Sequence, residues 1–278
     1  MVLLINRIIV KTGLDLMKTT RNIGLKALMD ATGTEPQNVK PYTIGFVLGP
    51  CLNATGRLDS ALSALELFQT TDRAAAATIA GNLKSMNDSR KELTLDGVEQ
   101  AIVQVEEKGY DKDKVLVIYL PDVHESLAGI IAGRIREKYG KPAFVLTNAE
   151  DGVKGSGRSI EAFHMYDEMT KCKELFSKYG GHKLAAGLSL PKENVEKLRI
   201  ALNENCALTE EDLEEKVLID VPMPMEYASL AFVEELDRLE PFGNGNAKPL
   251  FAQKQVSFVK GKILGQNRNV AKYTVADE

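Results

Sequence analysis

From Gly180 to Gly187 the chain reads Gly-Gly-His-Lys-Leu-Ala-Ala-Gly, and Leu188-Ser189-Leu190 continues it in strict apolar–polar alternation. This segment restricts the fold more than any other. Glycine at such density marks a turn, and the period of two behind it marks a strand. Upstream stands a second glycine-rich stretch, Gly155-Ser156-Gly157-Arg158-Ser159. Backbone N–H groups without a neighbouring Cβ can crowd around an anion, and Arg158 and His182 supply charge. Ala185 and Ala186 let the strand pack closely behind its loop. Phosphate recognition is the natural reading, which makes nucleotides or nucleic acid the candidate ligands.

The 278 residues allow two or three domains, and a hydrophobic fraction of 44% suffices for real cores. No apolar run approaches the roughly 18 residues of a bilayer span, and Met1–Ile5 is too short for a signal peptide. Cys51, Cys172 and Cys206 are widely spaced, odd in number and without zinc spacing. Reduced thiols in a cytoplasmic protein with no membrane partner are the expectation. A net charge of −4 argues against indiscriminate nucleic-acid binding, but its placement matters more. Acid gathers in Glu204–Glu215. Lys248, Lys254, Lys260, Lys262, Arg268 and Lys272 then follow with no acidic residue until Asp277. That reversal puts a domain boundary near Ala207–Lys216.

Helical spacing of apolar residues covers Arg7–Lys18 (Ile8, Val10, Leu14, Met17) and Ile23–Ala31, and Ser60–Phe68 reads as a further helix. Asp72 can cap a long one running towards Lys108, with Gly97 as a local weak point. So long and polar a helix suits a bridge between two domains. Lys114–Tyr119, Pro142–Leu146, Gly152–Ser159 and Leu184–Leu190 read as strands, alternating with helices at Ser126–Tyr139 and Val195–Leu202. The fold class is α/β. After a helix at Ala228–Leu239, Leu250–Ala252, Gln255–Val259 and Val270–Val275 read as strands. They resemble the start of an OB-like β-barrel, for which about five strands are expected.

Each candidate residue has a plainer reading. Arg158, with Ser156 two residues earlier on the same strand face, can clamp a phosphate, or it can be an exposed arginine on a glycine hairpin. His182 can donate to a phosphate oxygen, or simply cap its turn. Arg57 lies in a loop near Asn53, where a helix-cap cluster is the alternative. His124-Glu125 is better explained by an acid favoured at a helix start than by an acid–base dyad. His164 fits packing at a helix start, and Phe242 fits a domain junction. Asp111-Lys112-Asp113 fits a solvated turn better than a metal site.

Together these segments resemble a known family. Gly180–Gly187 looks like the signature of the DHH-associated domain of DHH-type phosphoesterases. Asn53-Ala54-Thr55-Gly56-Arg57-Leu58, His124-Glu125 with Ile130–Tyr139, Gly155–Ile160 with Phe163-His164, and Leu239–Asn246 narrow the match. They are similar, in order, to motifs of RecJ-like single-strand-specific 5′→3′ exonucleases. The resemblance implies the tail of a DHH domain (1–70), a connecting helix (71–108), a DHH-associated substrate domain (109–206) and the start of an OB-like domain (207–278). It implies Ser156 and Arg158 in the pocket for a 5′ phosphate, presented by a turn at Gly155 and Gly157. Gly180, Gly181 and a catalytic His182 would close on the substrate phosphate, and Arg57 would contact the DNA backbone.

Such enzymes use Mn2+ or Mg2+, held by aspartates and an Asp-His-His motif in an amino-terminal domain. Here the three histidines His124, His164 and His182 are never adjacent. The expectation is therefore a carboxy-terminal portion that binds single-stranded DNA, lacks the metal residues and the amino-terminal DHH domain, and is inactive alone. Two alternatives stay open: a DHH phosphoesterase of short oligonucleotides or cyclic dinucleotides, and a noncatalytic nucleic-acid-binding module.

Overall fold

Asp72 starts the longest element of the chain. Its side chain accepts the Ala74 N–H at 2.9 Å, satisfying one of the donors that a helix start leaves without a partner. The computed structural model describes residues 2–58, 62–214, 216–243, 245–265 and 268–277. In chain order the helices are α1 Val2–Lys18, α2 Ile23–Ala31, the single turn α3 Pro41–Thr43, α4 Gly49–Leu58, α5 Leu62–Gln69, α6 Arg73–Glu107, α7 Glu125–Tyr139, α8 Met165–Thr170, α9 Val195–Glu204, α10 Glu210–Leu213 and α11 Leu230–Asp237. The strands are β1 Leu116–Tyr119, β2 Ala143–Ala149, β3 Gly152–Arg158, β4 Lys178–Gly181, β5 Ala185–Leu190, β6 Val221–Pro222, β7 Phe251–Ala252, β8 Val256–Leu264 and β9 Val270–Asp277. Among the described residues no helix is long and apolar enough to cross a membrane.

The chain divides into two compact units: Thr20–Glu35 with Thr43–Glu215, and Met1–Thr19 with Pro36–Tyr42 and Lys216–Glu278. In the larger unit, α6 buries one stripe of small and polar residues that includes Ala76, Ala80, Asn87 and Thr94. Helices α2, α4 and α5 pack against α6. Cys51 on α4 lies near Lys84, Asp88, Arg90 and Lys91, and burial pushes its thiol pKa up. At its other end, Ala101 and Val105 share a core with Leu116 and Ile118 of β1 and Ile131 and Ile135 of α7. Helix α6 is continuous through Gly97. A Cβ there would stand 2.5 Å from Ile131 Cδ1, so glycine permits the close helix crossing.

Five strands form a mixed sheet in the order β1-β2-β3-β5-β4, with β1 and β2 parallel and the remaining pairs antiparallel. Period-two alternation sorts its side chains onto two faces. Val117, Phe144, Leu146, Val153, Leu188 and Leu190 pack with Met165 and Met169 of α8 and Leu198 and Leu202 of α9. Ile118, Ala143 and Val145 face α7 instead. Asn203 ties α9 to the sheet: its Oδ1 accepts the Lys114 and Val115 N–H groups, and its Nδ2 donates to the Val115 carbonyl. The connector before β1 is clamped as well. Arg199 pairs with Asp113 at 2.5 Å and lies 4.3 Å from the Tyr110 ring centroid.

In the smaller unit Arg7 of α1 donates to the carbonyls of Arg238 and Glu240 at 2.8 and 3.0 Å, placing a cation at the carboxy-terminal end of α11. β6 pairs with β7, and β8 with β9 in an antiparallel hairpin with a bulge between Phe258 and Lys260. These sheets do not close into a barrel among the described residues.

Candidate nucleic-acid interface

The strand β3 decides what each sheet face presents. Val153, Gly155 and Gly157 point to the core; Lys154, Ser156 and Arg158 point to the side of α7. Gly155 and Gly157 therefore do not form a turn, contrary to expectation. They sit within β3, where a Cβ would lie 2.3 Å from Leu146 Cδ2 and 2.7 Å from Phe144 Cε1 respectively. Their absence of side chain lets the sheet close on its core. Ser156 and Arg158 share a face, as their spacing of two requires.

On the same face the register builds rows across three strands. Arg158 opposes Ala185; Ser156 opposes Gly187, which opposes Gly180; Lys154 opposes Ser189, which opposes Lys178. None of these eight residues is buried. They are all small or basic. A Cβ built on Gly180 meets nothing within 4 Å, and one on Gly187 meets only the Gly155 carbonyl oxygen at 4.0 Å. Gly187 and Gly180 in the middle row are thus bare backbone, open to close approach by a ligand.

Helix α7 flanks this surface. A Cβ on Gly129 would stand 2.7 Å from Arg158 Nη2 and 3.4 Å from Ser156 Oγ, and one on Gly133 would stand 4.0 Å from Arg158 Cγ. The two glycines, one helical turn apart, form a slot in which the Arg158 side chain lies. Arg158 Nη1 also donates to the Gly157 carbonyl at 2.8 Å. Sequence reasoning missed this slot. The available signal was a pair of glycines four residues apart on the helix that also carries Leu127, Ile131 and Ile135. A cleft of ≈ 420 Å³ opens beside Arg158, with Arg136 and Glu161 among its lining residues.

His182 occupies the β4–β5 turn, at the Arg158 end of the sheet. Its backbone N–H donates to the Ala185 carbonyl at 2.9 Å, and its Nδ1 accepts the Leu184 N–H at 3.2 Å. With Nδ1 accepting, the neutral ring carries its proton on Nε2, which leaves an exposed donor. Capping the turn and offering Nε2–H are compatible roles. Gly181 opposes Ala186, and a Cβ on it would stand 2.4 Å from the Ala185 carbonyl oxygen.

His124, Glu125 and His164 have structural roles. His124 Nδ1 accepts the Ser126 N–H, so His124 is the cap of α7, while Glu125 in the first turn pairs with Lys154 at 2.9 Å. That carboxylate raises the Lys154 pKa above the ordinary lysine value. His164 is not a packing residue: it caps α8 by accepting the Asp167 N–H. The Arg57 backbone belongs to helix α4 and not to a loop. The Arg57 side chain lies outside the described residues. Among the described residues no three His, Cys, Asp or Glu side chains converge to hold a metal ion, so they do not fit a metal centre.

Comparison with known proteins identifies the domains. The DHHA1 domain model matches residues 112–208, and the RecJ OB domain model matches residues 219–278. The single-stranded-DNA-specific exonuclease RecJ of Bacillus subtilis (strain 168) is 31% identical over 277 residues, covering 98% of this chain. This chain is homologous to the carboxy-terminal portion of the RecJ exonucleases. RecJ of Salmonella typhimurium (strain LT2) is 32% identical over 257 residues, or 88% of this chain. The crystal structure of RecJ in complex with Mn2+ from Thermus thermophilus aligns with a TM-score of 0.83 at 27% identity, over 97% of this chain and 41% of that one. The chain spans 35% of the Bacillus RecJ and 44% of the Salmonella RecJ. Its fold is that of a mixed α/β DHHA1 domain followed by a partial OB segment.

Proposed function

We propose that this chain is the substrate-binding portion of a RecJ-like 5′→3′ single-stranded-DNA exonuclease of DNA repair and recombination. It acts in the cytoplasm with a DHH domain that supplies the Mn2+ or Mg2+ chemistry. In this reading residues 1–70 belong to the DHH domain, 71–108 connect, 109–206 bind substrate and 207–278 begin the nucleic-acid-binding OB domain. Ser156 and Arg158 hold the 5′ phosphate. Gly180 and Gly181 bring the backbone close to the strand, and His182 presents Nε2–H to the reacting phosphate. Arg57 contacts the DNA backbone.

One observation carries the reading: beyond α7, the sheet face along β3, β5 and β4 presents only small and basic residues, with Arg158 seated in a glycine slot. Phosphate oxygens need charge-assisted donors and steric access, and this face supplies both. The match of the RecJ OB domain model to residues 219–278 favours a polymeric strand over a cyclic dinucleotide.

The test is fluorescence anisotropy of labelled oligonucleotides with the chain, alongside a digestion assay in manganese. Tighter binding of single strands than duplexes, with a preference for a 5′ phosphate and little cleavage, is expected. Equal affinity for all strands, or robust chelator-sensitive cleavage surviving further purification, overturns the proposal.

A further inference from the structure

The row farthest from the Arg158 end of the face is built as a second anion site. Lys154 and Lys178 lie on either side of Ser189, each directly opposite it in the strand register. Neighbouring strands are about 4.8 Å apart, so the three residues stand side by side on one face, a lysine on either side of a serine. Lys154 and Lys178 are exposed, and all three line a cleft of ≈ 710 Å³. Lys154 is partly neutralised by Glu125, and Glu150 and Asp151 line the same cleft. Lys178 makes no ion pair among the described residues. A row this basic beside carboxylates is not an indiscriminate polyanion magnet; it suits one phosphate at a fixed place.

We infer that Lys178, Ser189 and Lys154 form an internal-phosphate subsite for the same DNA strand whose end Arg158 holds. The inference rests on the proposed function and deepens it. Residues 154 and 158 are four apart on β3, which at ~3.3 Å per residue separates the rows by about 13 Å. Adjacent phosphates of one strand cannot span that distance, so a dinucleotide fills one row only. Between the rows the bare backbone of Gly187 and Gly180 lets the strand lie close to the sheet. A tetranucleotide reaches both.

The experiment measures binding of 5′-phosphorylated dinucleotide and tetranucleotide to the chain across a salt series. Lys178→Ala, Lys154→Ala, Lys178→Arg and Arg158→Ala are compared with the unaltered protein, and melting curves verify folding. Lys178→Ala is expected to weaken the tetranucleotide roughly tenfold, leave the dinucleotide unchanged, and flatten the salt slope by about one phosphate contact. Lys154→Ala has a smaller effect because Glu125 already engages it, and Lys178→Arg keeps the tetranucleotide. Loss of the tetranucleotide and dinucleotide to the same extent, or no change in either, overturns the subsite. If Arg158→Ala also changes nothing, the proposed function itself has failed; if only the lysine variants are silent, the subsite alone has.

Discussion

The five-stranded sheet and the β8–β9 hairpin carry the same kind of pattern and resolve it differently. In the sheet the apolar positions of β3 and β5 are covered by α8 and α9, and the basic positions stay open. In the hairpin, Lys260, Lys262 and Lys272 share one face through the pairs Lys260–Thr274 and Lys262–Lys272. The other face carries Phe258 and Tyr273, whose ring centroids are 5.1 Å apart. Yet Phe258 is 68% and Tyr273 56% exposed. A hairpin alone buries too little to stabilise itself, whereas the sheet owns a core. The contrast says which basic face is held rigidly: Lys154, Ser156 and Arg158 ride on a strand whose reverse side is locked, and the hairpin lysines do not.

The largest effect is expected on that locked side. Gly157→Val puts side-chain atoms where a Cβ already lies 2.5 Å from Met165 Sδ and 2.7 Å from Phe144. Overpacking should cost about 3 kcal/mol or more in urea denaturation. A change under about 0.5 kcal/mol would mean that the core is loose and the comparison wrong.

On the open side, Arg158→Ala should leave stability nearly intact and remove about 1.5–3 kcal/mol of preference for a 5′-phosphorylated strand over a 5′-hydroxyl one. Equal losses for both strands would separate Arg158 from the terminal phosphate. Gly129→Ala comes next. Its methyl group displaces the Arg158 guanidinium without touching DNA, so the phosphate preference should fall by about 1 kcal/mol while 5′-hydroxyl binding holds. Unchanged preference would show that the slot does not position Arg158. The smallest effect belongs to the hairpin: Tyr273→Ala should change the unfolding free energy by no more than about 0.5 kcal/mol. A large loss would reveal a core there comparable to that of the sheet.

Much of this architecture was legible in the residues. Asp72 announced α6, and the alternation of Leu188-Ser189-Leu190 announced β5. Part of what escaped has a common cause: glycine read one residue at a time. Gly155 and Gly157 looked like a turn because turns favour glycine, but their role is steric and set by Phe144, Leu146 and Met165 across the sheet. Gly97 looked like a helix flaw for the same reason. Lys178–Gly181 lacks the β-branched residues that mark a strand, so β4 emerges only from pairing with β5. Asn53, Thr55 and Gly56 are weak helix formers, which hid the helical setting of Arg57. The Ser156–Arg158 pair was legible from its spacing; Lys154 and Lys178 were not, because their shared row exists only in the register.

The central claim is that the open face of the five-stranded sheet is where the DNA backbone lies. Amide chemical-shift mapping with a 5′-phosphorylated tetranucleotide tests it directly. The account predicts the largest shifts at Ser156, Arg158, Gly180 and Gly187, with smaller ones along β8 and β9. Shifts concentrated on Lys260, Lys262 and Lys272, with none at Gly180 or Gly187, would contradict it.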